Sequence, residues 1–213
     1  MVQQDGTAAV NHAAVQLGIP FAAGVWDGSG AVRLSRGAEN LPVVQHEILA
    51  RWPLDASVQS LGLYFTAPLA PGENRFILQP DLSNAVAAAA PSGFLEETPD
   101  QWRVVLGDRV VAVGRRNGAL WDAVSERASG RVLISGAALE GRDMSGRLYS
   151  SLDDPAAVAV LEKAGPAHVS IAKHGVVAAP GAGLLAYVNR LHFWRDVPAV
   201  QVEVTVINSR DEG

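Results

Sequence analysis

Near the end of this chain apolar residues recur at every second position, and no other feature of the sequence constrains the fold as tightly. From Leu184 the odd positions Leu185, Tyr187, Leu191 and Phe193 are apolar, and after Asp196-Val197-Pro198 the even positions Val200, Val202, Val204 and Val206 are too. A period of two sends successive side chains to opposite faces of an extended strand, so the two runs predict a hairpin with one buried face. With Asp196 and Val197 as a two-residue turn, Leu191 faces Val202 and Phe193 faces Val200. The other face then sets Arg190 opposite Glu203 and His192 opposite Gln201.

The same short, β-branched, alternating pattern recurs along the chain, cut by Gly, Pro, Asp and Asn at the spacing of all-β domains. It predicts strands at 43–49, 58–66, 74–78, 102–106, 110–113, 131–135, 169–172, 184–194 and 199–207. Asp154, Pro155 and Gly165 imitate the caps of a helix, but Val158, Val160 and Glu162 alternate, which favours a strand there. Helix signals are scarce. Asn84 to Ala90 is the most helix-prone run and ends at Pro91, so it reads as a linker or a single turn. Pro80, Pro91 and Pro99 punctuate that Ala-rich stretch, which divides the chain into a domain at 1–80, a linker at 81–98 and a domain at 99–213.

Composition narrows the function classes. Seventeen Lys and Arg against 22 Asp and Glu, net −5, remove the broad attraction that drives binding to nucleic acid or to anionic membranes. The absence of cysteine excludes disulfides, thiolate metal sites and cysteine nucleophiles. The first dozen residues have neither a cationic start nor an apolar core, so they do not read as a signal peptide, and no run approaches a membrane-spanning length.

Two segments carry a resemblance. Ala14-Val15-Gln16-Leu17-Gly18-Ile19-Pro20-Phe21-Ala22-Ala23-Gly24, then Leu41-Pro42-Val43-Val44-Gln45, then Ala50-Arg51-Trp52-Pro53-Leu54-Asp55-Ala56-Ser57-Val58 resemble the N-terminal RIFT-barrel domain of exo-rhamnogalacturonan lyase-like proteins. That domain opens with G-x-P-F-x-x-G and reaches an A-R-W-P-D-G-S-V corner. Here the corner has an inserted Leu54, and Ala56 stands where the family has Gly, a residue that takes positive φ at far lower cost. Downstream, Leu161-Glu162-Lys163-Ala164-Gly165-Pro166, the run Tyr187 to Trp194 and the run Val202 to Asn208 resemble strands of the β-sandwich that follows in that family. The resemblance implies an all-β chain, a small RIFT-type barrel followed by an antiparallel β-sandwich. It also implies an accessory region, because in the family a helical toroid carries the lyase chemistry and the sequence ends at Gly213 before such a toroid.

Residues that could carry chemistry are few. β-Elimination on a uronide needs a group that neutralises the carboxylate and a base, often Tyr or His, on one side of the sugar. Tyr187 and His192 are five apart on one strand and point to opposite faces. Arg190 and His192 share a face, where pairing with Glu203 and Gln201 accounts for them as a solvated polar surface. Gly181-Ala182-Gly183-Leu184-Leu185-Ala186 fits a dinucleotide fingerprint, but the residues after it alternate as a strand where that motif needs a helix. The acidic pairs Asp153-Asp154 and Glu96-Glu97 lack further ligands at metal spacing. No cofactor and no metal is therefore expected.

Trp26, in Val25-Trp26-Asp27-Gly28-Ser29-Gly30, and Trp121, after Asn117-Gly118, lie in loops and are candidates for an exposed carbohydrate or partner contact, with Arg190 and His192. Trp52 and Trp194 read as core. The function expected is a non-catalytic structural or interaction module, a scaffold or attachment part of a larger protein or of a virion assembly of the phage tail or fibre type. Its partners are then neighbouring proteins or downstream domains, and its location a virion or the extracellular space. The alternative is the carbohydrate-binding accessory region of a secreted polysaccharide lyase. The strand Ala199 to Ile207 is expected to have its outer edge covered, by a neighbouring chain, by downstream sequence or by an earlier strand.

Overall fold

The computed structural model describes residues 1–81 and 94–208. It is an all-β chain of antiparallel sheets, with a single 3-10 turn among the described residues, at Ser151–Asp153. Two compact units are present: Met1–Ser92 with Gly165–His168 and Trp194–Val197, and Gly93–Ala164 with Val169–Phe193 and Pro198–Gly213. The units are thus built from interleaved stretches of chain, whereas the sequence reading expects a simple division at 81–98. Residues 82–93, which include the helix-prone run at 84–90, lie outside the described residues. No helix of the described residues is long and apolar enough to cross a membrane.

The first unit is barrel-like. Its strands are β1 (Val2–Gln4), β2 (Val10–Pro20), β3 (Ala31–Arg36), β4 (Glu39–Asn40), β5 (Val44–Arg51), β6 (Val58–Leu69), β7 (Gly72–Asn74) and β8 (Ile77–Asp81). They pair as β2-β6-β5, β4-β3-β8 and β1-β7. The long strand β6 organises the core: Leu63, Phe65, Ala67 and Leu69 share a cluster with Val15 and Leu34, the alternation that one buried face demands. Tyr64, on the opposite face, is also buried; its ring stacks on His168 at 5.2 Å and its hydroxyl donates to Glu47 Oε1 at 2.5 Å.

The second unit is a sandwich. Its strands are β9 (Leu95–Glu97), β10 (Gln101–Leu106), β11 (Arg109–Gly114), β12 (Ala123–Glu126), β13 (Val132–Ser135), β14 (Glu140–Arg142), β15 (Leu148–Ser150), β16 (Val158–Ala164), β17 (His168–Ala179), β18 (Ala182–Trp194) and β19 (Val200–Ile207). One sheet runs β13-β12-β11-β10-β9 and the other β14-β15-β17-β18-β19, with β16 also on β17. Trp102, Val104, Leu106, Val111 and Val113 of the first sheet meet Val169, Ile171, Leu191 and Phe193 of the second in one core. Leu95–Glu97, which the sequence reading assigns to the linker, forms β9, and the stretch 154–165 contains the expected strand, β16.

The terminal hairpin has the register read from the sequence: Leu191 faces Val202, Phe193 faces Val200, Arg190 faces Glu203 and His192 faces Gln201. Its turn differs. Val197 N donates to Trp194 O at 3.2 Å and Asp196 takes φ of 63°, so Arg195 and Asp196 are the central residues instead of Asp196 and Val197. The reason is Pro198, which has no N–H to donate to the Arg195 carbonyl and so cannot close the expected turn.

Candidate functional site

The loop that carries Trp26 is folded back on its own unit. Gly24, Gly28 and Gly30 all take positive φ, which lets the chain reverse and lays the indole against Val58 and Leu61. Trp26 is 6% exposed and its Nε1 donates to Ser29 O at 2.9 Å. Arg51 clamps the loop by donating to Asp27 O at 2.8 Å and to Ala56 O at 2.7 Å. The expectation of an exposed Trp26 is therefore corrected: its loop is a core-covering strap. Ala56, at the neighbouring corner, holds φ of 56° without being glycine.

Trp121 is also no free platform. It is partly buried against the main core and against the smaller cluster of Leu120, Tyr149 and Tyr187. An aromatic ring engaged on two clusters leaves little face for a pyranose.

Arg190 and His192 do lie together. Arg190 Nε donates to both oxygens of Glu162, at 3.1 and 3.2 Å, and its guanidinium sits 3.7 Å from Glu203. His192 Nε2 is 3.9 Å from Glu203, and burial lowers the imidazole below its ordinary pKa against the pull of that carboxylate. Two carboxylates thus occupy the Arg190 guanidinium, while Tyr187 is buried on the other face. The arrangement is a ladder of ion pairs across β16, β18 and β19, and it brings no tyrosine base toward Arg190. Among the described residues no three His, Asp or Glu side chains are grouped to hold a metal.

One functional-looking residue was not singled out from the sequence. Lys173 of β17 is wholly buried; its Nζ donates to Asn117 Oδ1 at 2.8 Å and to the Ala119 carbonyl. Burial pushes its pKa down to about 8, with Asp122 opposing the shift. The signal was present, since Lys173 shares the inward parity of Val169 and Ile171. It pins the β11–β12 loop from beneath, beside a polar cavity of about 560 Å³ lined by Asp100, Gln101, Arg115, Arg116, Asn117 and Asp122. Arg115 is engaged there, over the Trp102 ring at 4.3 Å and paired with Glu97. In the first unit a second cavity of about 540 Å³ includes Arg36, whose guanidinium already donates to Pro68 O and to Asn74 Oδ1.

The largest feature left open is β19. It is the last strand of its sheet, and its outer edge is unpaired among the described residues. Val202, Val204 and Val206 lie on the same side as Leu191, Asn189 and Tyr187 opposite them, all three buried. Yet Val202 is 43% exposed, Val204 40% and Val206 56%. The core face of the sheet therefore continues onto β19 beyond the layer that covers it, and the buried face expected there is bare.

Other edges of this unit are protected. Strand β9 is three residues long and carries Glu96 and Glu97; β14 is equally short, with Glu140 and Arg142. A bulge at Leu133 interrupts the four-residue β13, and β16 carries Glu162, Lys163 and a bulge of its own. Short length, charge and bulges are the means by which sheets avoid pairing with strangers. Strand β19 has eight residues in unbroken register, one charged residue, no lysine and no proline. No protein-family model and no curated protein matches this chain.

Proposed function

We propose that the chain is a non-catalytic structural and interaction module, a scaffold or attachment part of a larger protein or of a virion-type assembly, and that it is joined to its neighbour along β19. The observation that carries this reading is the undefended edge of β19 with its bare apolar row. Pairing there supplies the missing backbone hydrogen bonds and covers apolar surface in one step. The resemblance to β domains that accompany catalysis, without performing it, agrees with this role. So do the ion pairs that occupy Arg190. The carbohydrate-binding alternative loses the indole platform at Trp26 that motivated it.

A short fluorescent peptide of alternating valine and threonine, with lysines at its ends, tests the reading directly. It should bind with a saturable rise in anisotropy that Val204→Lys abolishes. No binding by a chain that sediments as a monomer, or binding indifferent to Val204→Lys, would sink the reading.

A further inference from the structure

Resting on the reading of β19 as an open edge, we infer that its occupant is β19 of a second copy of this chain, paired antiparallel about a two-fold axis through Val204. A strand can pair with itself this way only if its sequence is complementary to its own reverse, and that condition selects the register. Centred on Val204, the pairing sets Val202 against Val206 on the apolar side and Glu203 against Thr205 on the polar side. Centred on Glu203, it would bring two carboxylates face to face, which is destabilising in cross-strand pairs. Centred on Thr205, it would place the Glu203 carboxylate against Ile207 and Val202 against Asn208. Of these three registers, only the one centred on Val204 keeps the valine row continuous and leaves each Glu203 to its own Arg190 and His192, at 3.7 and 3.9 Å. A residue opposite itself in an antiparallel ladder is allowed whether or not that pair exchanges hydrogen bonds, so the backbone imposes no further condition. The two apolar rows then merge into one patch, and two sheets become one.

The absence of native cysteine makes the register measurable. Opposed residues in an antiparallel pair have Cα atoms roughly 4.5–5.5 Å apart, within disulfide range, whereas residues four positions out of register are more than about 13 Å apart. Under mild oxidation, Val204→Cys should give a covalent dimer on non-reducing gels. Val202→Cys and Val206→Cys should each stay monomeric alone, and should cross-link when mixed. All three sites are exposed, and circular dichroism matching the parent chain certifies folding. Sedimentation velocity of the parent chain should show a concentration-dependent dimer. A parent chain that stays monomeric while still binding the valine-threonine peptide overturns the second copy as occupant but leaves the open-edge reading intact. A dimer whose cross-linking favours Val202→Cys alone overturns the register. A monomer that also ignores the peptide overturns both.

Discussion

The loop around Trp26 and the strand β19 reverse each other's expectations. The first reads in sequence as an exposed, glycine-rich connection and is in fact pinned down, its tryptophan 6% exposed. The second reads as a half-buried strand and lies open on both faces from Gln201 to Ile207. The difference lies in what local pattern encodes. Alternation states which side chains share a face, and it says nothing about whether a second layer reaches that face. Glycine at positive φ states that the chain can turn back, and the composition of the loop does not reveal where it lands.

Trp26→Ala breaks the first half of this comparison with the largest effect. Removing a buried aromatic side chain typically costs about 3–5 kcal/mol, through lost transfer energy and the cavity left behind. Urea unfolding should show a loss of that order for Trp26→Ala. A change under about 1 kcal/mol would mean that the strap is loose and the indole available to a ligand.

Lys173 sharpens the comparison, because here alternation does predict burial and chemistry resists it. Its folded pKa of about 8 lies below the ordinary value of 10.5. Between those values the unfolded chain holds the proton and the folded chain releases it, so stability rises with pH across this window and is lowest below it. The gain is of order 1–3 kcal/mol. Chemical denaturation from pH 7.5 to 10.5 should show this rise in the parent chain and a flatter profile in Lys173→Met. Parallel profiles would remove Lys173 as the cause.

For the second half, Val204→Lys is the decisive change. Opposed lysines across the proposed two-fold, together with loss of the apolar contact, should weaken association about tenfold or more, equivalent to roughly 1.4 kcal/mol. Ile134→Lys on the exposed but short and bulge-flanked β13 should leave association unchanged. Equal effects of the two substitutions, read by sedimentation, would show that exposed apolar area alone drives contact, not the undefended edge.

How much was legible follows the same division. The hairpin register could be read residue by residue because Leu191, Phe193, Val200 and Val202 fix both parity and alignment. Pro198 carried the information that shifts the turn, since its missing N–H forbids closure onto the Arg195 carbonyl. The interleaving of the two units was not legible, because Gly165–His168 and Trp194–Val197 owe their place to contacts such as Gln45 Oε1 accepting from His168 N at 2.9 Å, which span long stretches of sequence. Of the four candidate contacts, Arg190 and His192 were correctly placed on one face, while the saturation of Arg190 by Glu162 depends on β16, whose bulge no periodicity announces.

The smallest effect belongs to the corner beneath the Trp26 strap. Ala56 sits at φ of 56°, where its Cβ crowds the following carbonyl, and the surroundings hold it there: Ala56 N donates to Trp52 O at 2.9 Å while its own carbonyl accepts from Arg51. A left-handed L-residue costs about 1–2 kcal/mol, and replacing it by glycine relieves that cost. Glycine also gives the unfolded chain more freedom, which returns about 0.4–1 kcal/mol. Ala56→Gly should therefore stabilise the chain by a net of about 0.5–1 kcal/mol, seen as a higher urea midpoint with an unchanged slope. A lower midpoint would mean that the corner is not strained and that the clamp by Arg51 fixes the strap by itself. An unchanged midpoint in Ala56→Gly with a large loss in Arg51→Ala would assign the corner's stability to the two carbonyls that Arg51 bridges.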